Sequence, residues 1–337
     1  MKSKNTKQGY LVISLDMELL YGMNDETKID RWKRNAGGAR EVIPEMLTLF
    51  EEYGIKATWA IVGMLFAKDK EELRSACPVV IPQYEEKRFS NYERLDQVGE
   101  TEEMDPLHYA ASLIKRIAGS KGQEIATHTF SHYYCMEKGQ TKETFEADLA
   151  AAIAIAQRQG ITTESLVFPK NQYEDAYLEG LHARGILAVR GNERSWMYRA
   201  SSAGESLVKR AFRLADSYVN LSGYHDYSIA RLKEQAGVVN IPASRFFRPY
   251  SHKLRLLEPL RLARIKGQMH HAAKHGLICH LWWHPHNFGS SPYENLHNLR
   301  EILTYNRRLQ SQYSFSSATM SEIAKKGKQY ANRNISR

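Results

Sequence analysis

Short apolar runs recur along this chain at residues 10–15, 56–62, 124–127, 165–168, 186–189 and 277–283. Most intervals between them carry apolar residues at helical spacing, as at 38–53, 141–159 and 174–184. Strands and helices in that alternation connect by right-handed crossovers and give a parallel sheet or barrel. A chain of 337 residues can bury a sizeable core of this kind. Side chains at the strand ends then collect on one face, where barrel proteins hold their sites. Residues 68–105 and 200–251 break the rhythm, which predicts insertions over that face. Beyond Leu309 the pattern stays helical and then turns Lys-, Asn- and Arg-rich from Lys325, which predicts a tail that frays. The expected organisation is one barrel over 1–309 and a tail over 310–337.

Composition narrows the partners. The formal net charge is +9, which suits anionic company such as a phosphorylated or lipid-linked small molecule. No RNA-binding signature or zinc finger accompanies the charge, so nucleic acid is not an expected partner. Cys77, Cys135 and Cys279 are odd in number and far apart, which excludes a disulfide framework and a zinc knuckle. The first apolar run is cut short by Asp16 and is too brief for a signal segment or a membrane span. The cytoplasm is the expected location, with peripheral membrane contact and oligomeric state left open.

Histidine placement carries the chemistry. Among 13 histidines, the pairs His128/His132, His271/His275 and His280/His284 are spaced by four residues, a spacing common by chance. The first pair, just after a strand-like run, stands out by its company: the acidic Asp16-Met17-Glu18 at the end of the first strand and the histidine-rich strand end His280-Leu-Trp-Trp-His-Pro-His286. Asp16 and Glu18 end the first strand two residues apart and so point to one side, with Met17 facing the other way. Two neutral imidazoles and one carboxylate can hold a divalent ion and leave positions open for water and a substrate carbonyl. Amide hydrolysis needs in addition a base and a proton donor, and a histidine near neutrality suits the donor. Trp282 and Trp283 alternate across the last strand, so one belongs to the core and the other is a platform on which a sugar ring could stack.

These pieces, in this order, resemble the polysaccharide deacetylase (NodB-homology) superfamily. Its first motif, usually Thr-Phe-Asp-Asp, corresponds to Ser14-Leu15-Asp16-Met17-Glu18; its His-Ser/Thr-x-x-His motif is His128-Thr129-Phe130-Ser131-His132; its last motif, an apolar strand ending in histidine, is Leu281-Trp282-Trp283-His284. The resemblance runs from about residue 10 to about residue 290. It implies a distorted (β/α)7 barrel and a metal-dependent hydrolase, with zinc as the default ion. Branches with an Asp-x-Asp or Asp-x-Glu pattern place the outer residue on the metal. By that resemblance Glu18, His128 and His132 are the ligands, Asp16 is the base and His284 the acid, with the roles of Asp16 and Glu18 open to exchange. The third family motif, usually containing Arg and Pro, corresponds to Phe168-Pro169-Lys170-Asn171-Gln172, where Lys170 stands in for the arginine. Lys170, Asn171, Trp283 and His286 are the expected substrate contacts, and His286 is also the alternative acid.

The resulting expectation is removal of an N-acyl group, acetyl above all, from an amino sugar. A cytoplasmic, basic protein suits a lipid- or nucleotide-linked precursor in surface-polysaccharide assembly. The alternatives are hydrolysis of a small amide or cyclic ureide, deformylation of a sugar, or a saccharide-binding barrel without turnover.

Overall fold

The computed structural model describes residues 7–23, 27, 29–172, 175–198 and 207–335. Residues 200–206 of the second expected insertion and 336–337 of the expected tail lie outside them. The strands are β1 (Gly9–Met17), β2 (Ala57–Ile61), β3 (Gln123–Thr127), β4 (Ser165–Leu166), β5 (Ala188–Gly191), β6 (Lys233–Gln235), β7 (Val238–Pro242), β8 (Arg245–Phe246), β9 (Ile278–Trp283) and β10 (Phe315–Ala318). The helices are α1 (Ile29–Tyr53), α2 (Lys70–Ala76), α3 (Ala111–Gly119), α4 (Lys142–Arg158), α5 (Leu207–Asp216), α6 (Glu258–His275), α7 (Pro285–Phe288), α8 (Pro292–Gln312) and α9 (Met320–Ile335).

The strands form one sheet in the order β6-β7-β5-β4-β3-β2-β1-β9-β8, with β10 beside β1. Pairing is parallel from β5 through β4, β3, β2 and β1 to β9. The sheet closes because β7 and β8 are one extended stretch shared between its two margins. Pairing of β7 is with β5, and that of β8 is with β9. At the handover the Ala243 amide donates to the Gly191 carbonyl and the next amide, of Ser244, donates to the His280 carbonyl, each at 2.8 Å. The result is the expected distorted barrel, with β1, β2, β3, β4, β5, the joined β7-β8 and β9 as its staves. The joined β7-β8 falls inside the expected insertion 200–251, where Pro242 and the polar pair Ser244 and Arg245 interrupt its apolar run.

Two other sequence expectations change. Residues 175–184 form separate turns of 3-10 helix, at Asp175–Tyr177 and His182–Arg184, and no α-helix. Gly180 and Gly185 hold left-handed φ of 78° and 87° there, which breaks helical hydrogen bonding. The stretch after Leu309 is no frayed tail. Helix α8 runs on to Gln312, β10 then pairs with β1, and α9 caps the barrel's N-terminal end. Its Met320 amide donates to Thr58 and its Ser321 amide to Glu124, both near the starts of their strands. Met320, Ile323 and Ala324 are fully buried with Val12, Ala60, Ala126, Val167 and Ile241. The basic residues lie on the other face, where Lys325 pairs with Glu164.

One end of the barrel is thus closed by apolar packing, and the polar residues collect at the other. Close backbone approach fixes that open end: a Cβ on Gly38 of α1 would stand 2.5 Å from the Gly289 carbonyl oxygen, so only glycine lets α1 press on the turn after β9. If α9 is integral, Ile323→Ala is expected to cost about 2–5 kcal/mol in denaturant unfolding. A change within about 0.5 kcal/mol, the range of surface substitutions, would return residues 320–335 to the status of a tail.

Candidate active site

Alternation along β1 places Ser14, Asp16 and then Glu18 on the barrel's inner side. All are buried, and Met17 between them lies in the outer core. Gly22 makes room for the Glu18 side chain, since a Cβ there would lie 1.9 Å from Glu18 Oε2. Glu18 Oε1 stands 3.2 Å from His128 Nε2, 3.3 Å from His132 Nε2 and 3.3 Å from His284 Nε2. Three imidazoles therefore converge on one carboxylate oxygen.

The histidine pair sits in a loop and not on a helix. Thr129 and His132 take left-handed φ of 63° and 60°, a conformation that costs a β-branched residue on the order of 1–3 kcal/mol. Surrounding bonds hold it. Thr129 Oγ1 accepts from the Tyr133 amide at 2.7 Å. Asp148, on α4, accepts from the Phe130 amide at 2.6 Å, the Ser131 hydroxyl at 2.5 Å and the Tyr92 hydroxyl at 2.7 Å. Burial raises the Asp148 carboxyl to about 6, with these donors opposing it. Asn91 donates to the Tyr21 and Ser131 carbonyls. Tyr92 and Asn91 belong to the expected insertion 68–105, which therefore buttresses the histidine loop.

The donor set fits a divalent ion. His128 Nδ1 donates to the Val167 carbonyl at 2.7 Å, which turns the lone pair of Nε2 toward Glu18. Both ring nitrogens of His132 are buried without a hydrogen-bond partner. Burial holds the His132 imidazole below its usual pKa, with Glu18 pulling the other way, so a neutral ring with a free lone pair is favoured. Glu18 is driven up by burial, yet the surrounding imidazoles, His284 and His132 foremost, hold it well below the usual carboxylate range. Two lone pairs and an anion aimed at one point call for a cation. Glu18, His128 and His132 form one compact ligand group, and Asp16, Glu18 and His284 form another.

Beside the ligand group lies a residue that the sequence reading missed. Arg190, at the end of β5, donates from Nη1 to Asp16 Oδ1 and from Nη2 to Asp16 Oδ2, each at 2.6 Å. It also donates to Ser14 Oγ at 3.1 Å and to Asn171 Oδ1 at 3.0 Å, and its guanidinium lies 4.3 Å from the Trp282 ring centre. Burial pushes the Asp16 carboxyl up, but Arg190 and the nearby His128 and His284 bring it below its ordinary value. His280 completes the support as a core histidine, 2.9 Å from Ser14 Oγ. Its imidazole, buried beside Arg190, is depressed to about 3.

His284 caps β9 and is the most open member, its side chain 21 % exposed. The Asn287 amide, 3.3 Å from Nδ1, leaves the proton on Nε2, the nitrogen facing Glu18 and, at 3.8 Å, Asp16. Burial lowers its affinity for a proton, and the two acids more than restore it.

The expected substrate contacts fare differently. Trp283 is fully buried in the outer core against Phe50 and Phe247 and cannot stack on a sugar; the inward tryptophan is Trp282. His286 is buried behind the site with its ring 4.9 Å from Trp32 and 5.0 Å from His284. Burial and the adjacent His284 depress its imidazole to about 3, which favours His284 over it as the proton donor. Asn171 positions Arg190. Lys170 lies over Phe89 and Tyr134, at 4.9 Å and 4.6 Å, and it is Arg190 that meets Asp16. Asp148→Ala is expected to weaken the binding of a divalent ion about 10–100-fold through the histidine loop, read by competition with a chelator. Unchanged affinity would mean that the loop holds its shape without Asp148.

The polysaccharide deacetylase family profile matches residues 34–189, a span that contains His128, His132 and Asp148 and leaves Asp16, Glu18, Arg190 and His284 outside. Comparison with curated proteins finds no match. Among solved structures, a candidate polysaccharide deacetylase from Mycobacterium smegmatis superposes with a TM-score of 0.62 at 14 % identity, covering 98 % of this chain and 94 % of that one. An allantoinase superposes at 0.52 and 12 % identity, over 94 % of this chain and 89 % of its own. A 4-α-glucanotransferase from Thermococcus litoralis does so at 0.52 and 15 % identity, over 95 % of this chain and 41 % of its own. These likenesses are of fold. Residues 34–189, a little under half of the chain, are thus similar to the polysaccharide deacetylase family, and the solved structures share the fold around them.

Proposed function

We propose that this protein removes an N-acyl group, acetyl first among them, from an amino sugar, using the Asp-x-Glu arrangement of Asp16 and Glu18. One observation carries the reading: a ligand group for a divalent ion, an arginine-held carboxylate and an open histidine share one buried polar pocket at the end of a barrel closed elsewhere. A zinc-like ion on Glu18, His128 and His132 would supply Lewis acidity for the amide carbonyl and acidify water. Asp16, held ionised and oriented by Arg190, takes the proton of the attacking water. His284 gives its Nε2 proton to the departing amine, so the acyl group leaves as a carboxylate. Trp282 offers the inward aromatic surface for a sugar ring. The basic balance of the chain supports a substrate carrying phosphate, such as a nucleotide- or lipid-linked sugar precursor handled in the cytoplasm.

The test is product analysis with N-acetylated amino sugars, N-formylated ones and cyclic ureides, alongside metal analysis. Acetate release is expected, abolished together with bound metal in His128→Ala/His132→Ala. Asp16→Asn is expected to keep the metal and lose about 10²–10⁴-fold in turnover, the usual worth of a positioned base. Formate release or ring opening in place of acetate would replace the substrate class. Metal binding without any turnover would make the barrel a saccharide-binding protein.

A further inference from the structure

Helix α5 is mounted the wrong way round for a surface helix. Leu207, Val208 and Phe212 are exposed on α5, while Lys209, Arg213 and Asp216, spaced by four and three residues, form the row turned toward the barrel. A surface helix ordinarily turns its apolar stripe inward. Here the one residue of α5 that is fully buried is Asp216, and the apolar side chains face out, Leu207 at 77 % exposure. The helix is held by that acid. Asp216 is 3.2 Å from Arg245 of β8 and 3.7 Å from Arg264 of α6, and it accepts from the Tyr198 hydroxyl at 2.8 Å. Most of its apolar face is left open, and the ring contact of Phe212 is with the partly exposed Trp196.

A second exposed apolar element stands beside it. The turn His252–Leu257, after β8, leads into α6 and presents Leu256 at 86 % exposure. Asp216 of α5 lies 3.7 Å from Arg264 of α6, the helix into which this turn leads, which ties the two elements together. Both lie on the open rim of the barrel. Trp196, five residues beyond β5, meets Phe212 with ring centres 5.9 Å apart, and Phe246 of β8 lies 5.9 Å from the His284 ring.

Charge decides what covers this face. The acids of the two segments, Asp216 and Glu258, are buried and held by arginines, while Arg210, Lys253 and Arg255 are exposed. Every exposed charge on them is positive. A second copy of the chain would bring like charges together, whereas apolar side chains ringed by arginine and lysine match the boundary between anionic headgroups and acyl chains.

We propose that α5 and the turn His252–Leu257 form a docking surface for an anionic lipid bilayer. Leu207, Val208, Phe212 and Leu256 enter the acyl boundary, and Arg210, Lys253 and Arg255 meet the headgroup phosphates. The surface would set the open end of the barrel, with His284, close to the headgroup layer. This inference stands on the surface alone and needs no particular substrate, so failure of the hydrolase reading leaves it in place.

Flotation of the full chain with vesicles tests it. Binding to phosphatidylcholine vesicles containing phosphatidylglycerol is expected, with weaker binding to phosphatidylcholine alone and release as salt is raised. Phe212→Glu/Leu256→Glu is expected to lower partitioning by at least about tenfold, since two apolar insertions are lost, with thermal unfolding and bound zinc unchanged. Absence of binding to either vesicle by the wild type, or undiminished binding by the folded variant, would overturn the proposal. A wild-type dimer in sedimentation that Phe212→Glu dissolves would overturn it in favour of a second copy.

Discussion

The site depends on the buried fork between Arg190 and Asp16. Two charges removed from water carry a large desolvation cost, which is offset here by paired 2.6 Å bonds and by further acceptors on Ser14 and Asn171. The fork spans the barrel from β5 to β1 and so fixes the strand that also carries Glu18. Loss of the arginine would leave an unpaired carboxylate in the interior, a change that in buried pairs costs about 3–5 kcal/mol. The same contact keeps Asp16 ionised, the state in which it can accept a proton. Stability and chemistry draw on one interaction.

Around that fork the structure divides its work by depth. Apolar packing under α9 closes the far end of the barrel. The middle layer holds the fork with Ser14 and His280, and the outermost layer holds Glu18 with His128, His132 and His284. Left-handed backbone recurs around the site, at Leu19, Lys170 and Asn171 as well as at Thr129 and His132 of the histidine loop. Asp148 and the 68–105 excursion supply the bonds that hold it. That excursion acts on the chemistry through backbone positioning.

The parts of the site legible in the sequence are those whose residues lie close together in the chain. Asp16 and Glu18 share a strand face, His128 and His132 share a loop, and His284 ends an apolar run, so spacing and strand parity mark each piece, and the family resemblance joins them. Arg190 is a lone arginine at the end of a short strand, and its partner is 174 positions away, so no local pattern marks it. Parity said that one of Trp282 and Trp283 is core but could not say which, because which face of β9 turns inward is set by its pairing with β1. The joined stave β7-β8 is masked by Pro242 and Arg245, which a barrel accepts there because the stretch changes partners at that point. In α9 the basic composition hides an apolar stripe at Met320, Ile323 and Ala324, read as a tail until its helical spacing is matched to the barrel end it covers.

The account rests on Glu18, His128 and His132 holding a metal while His284 stays free to donate a proton. X-ray absorption on the zinc-loaded protein measures this directly. The predicted spectrum shows a nitrogen and oxygen shell at about 2.0–2.1 Å with outer-shell scattering from two imidazoles, unchanged in His284→Ala. A third imidazole that disappears in His284→Ala would make His284 a ligand and contradict its role as the acid.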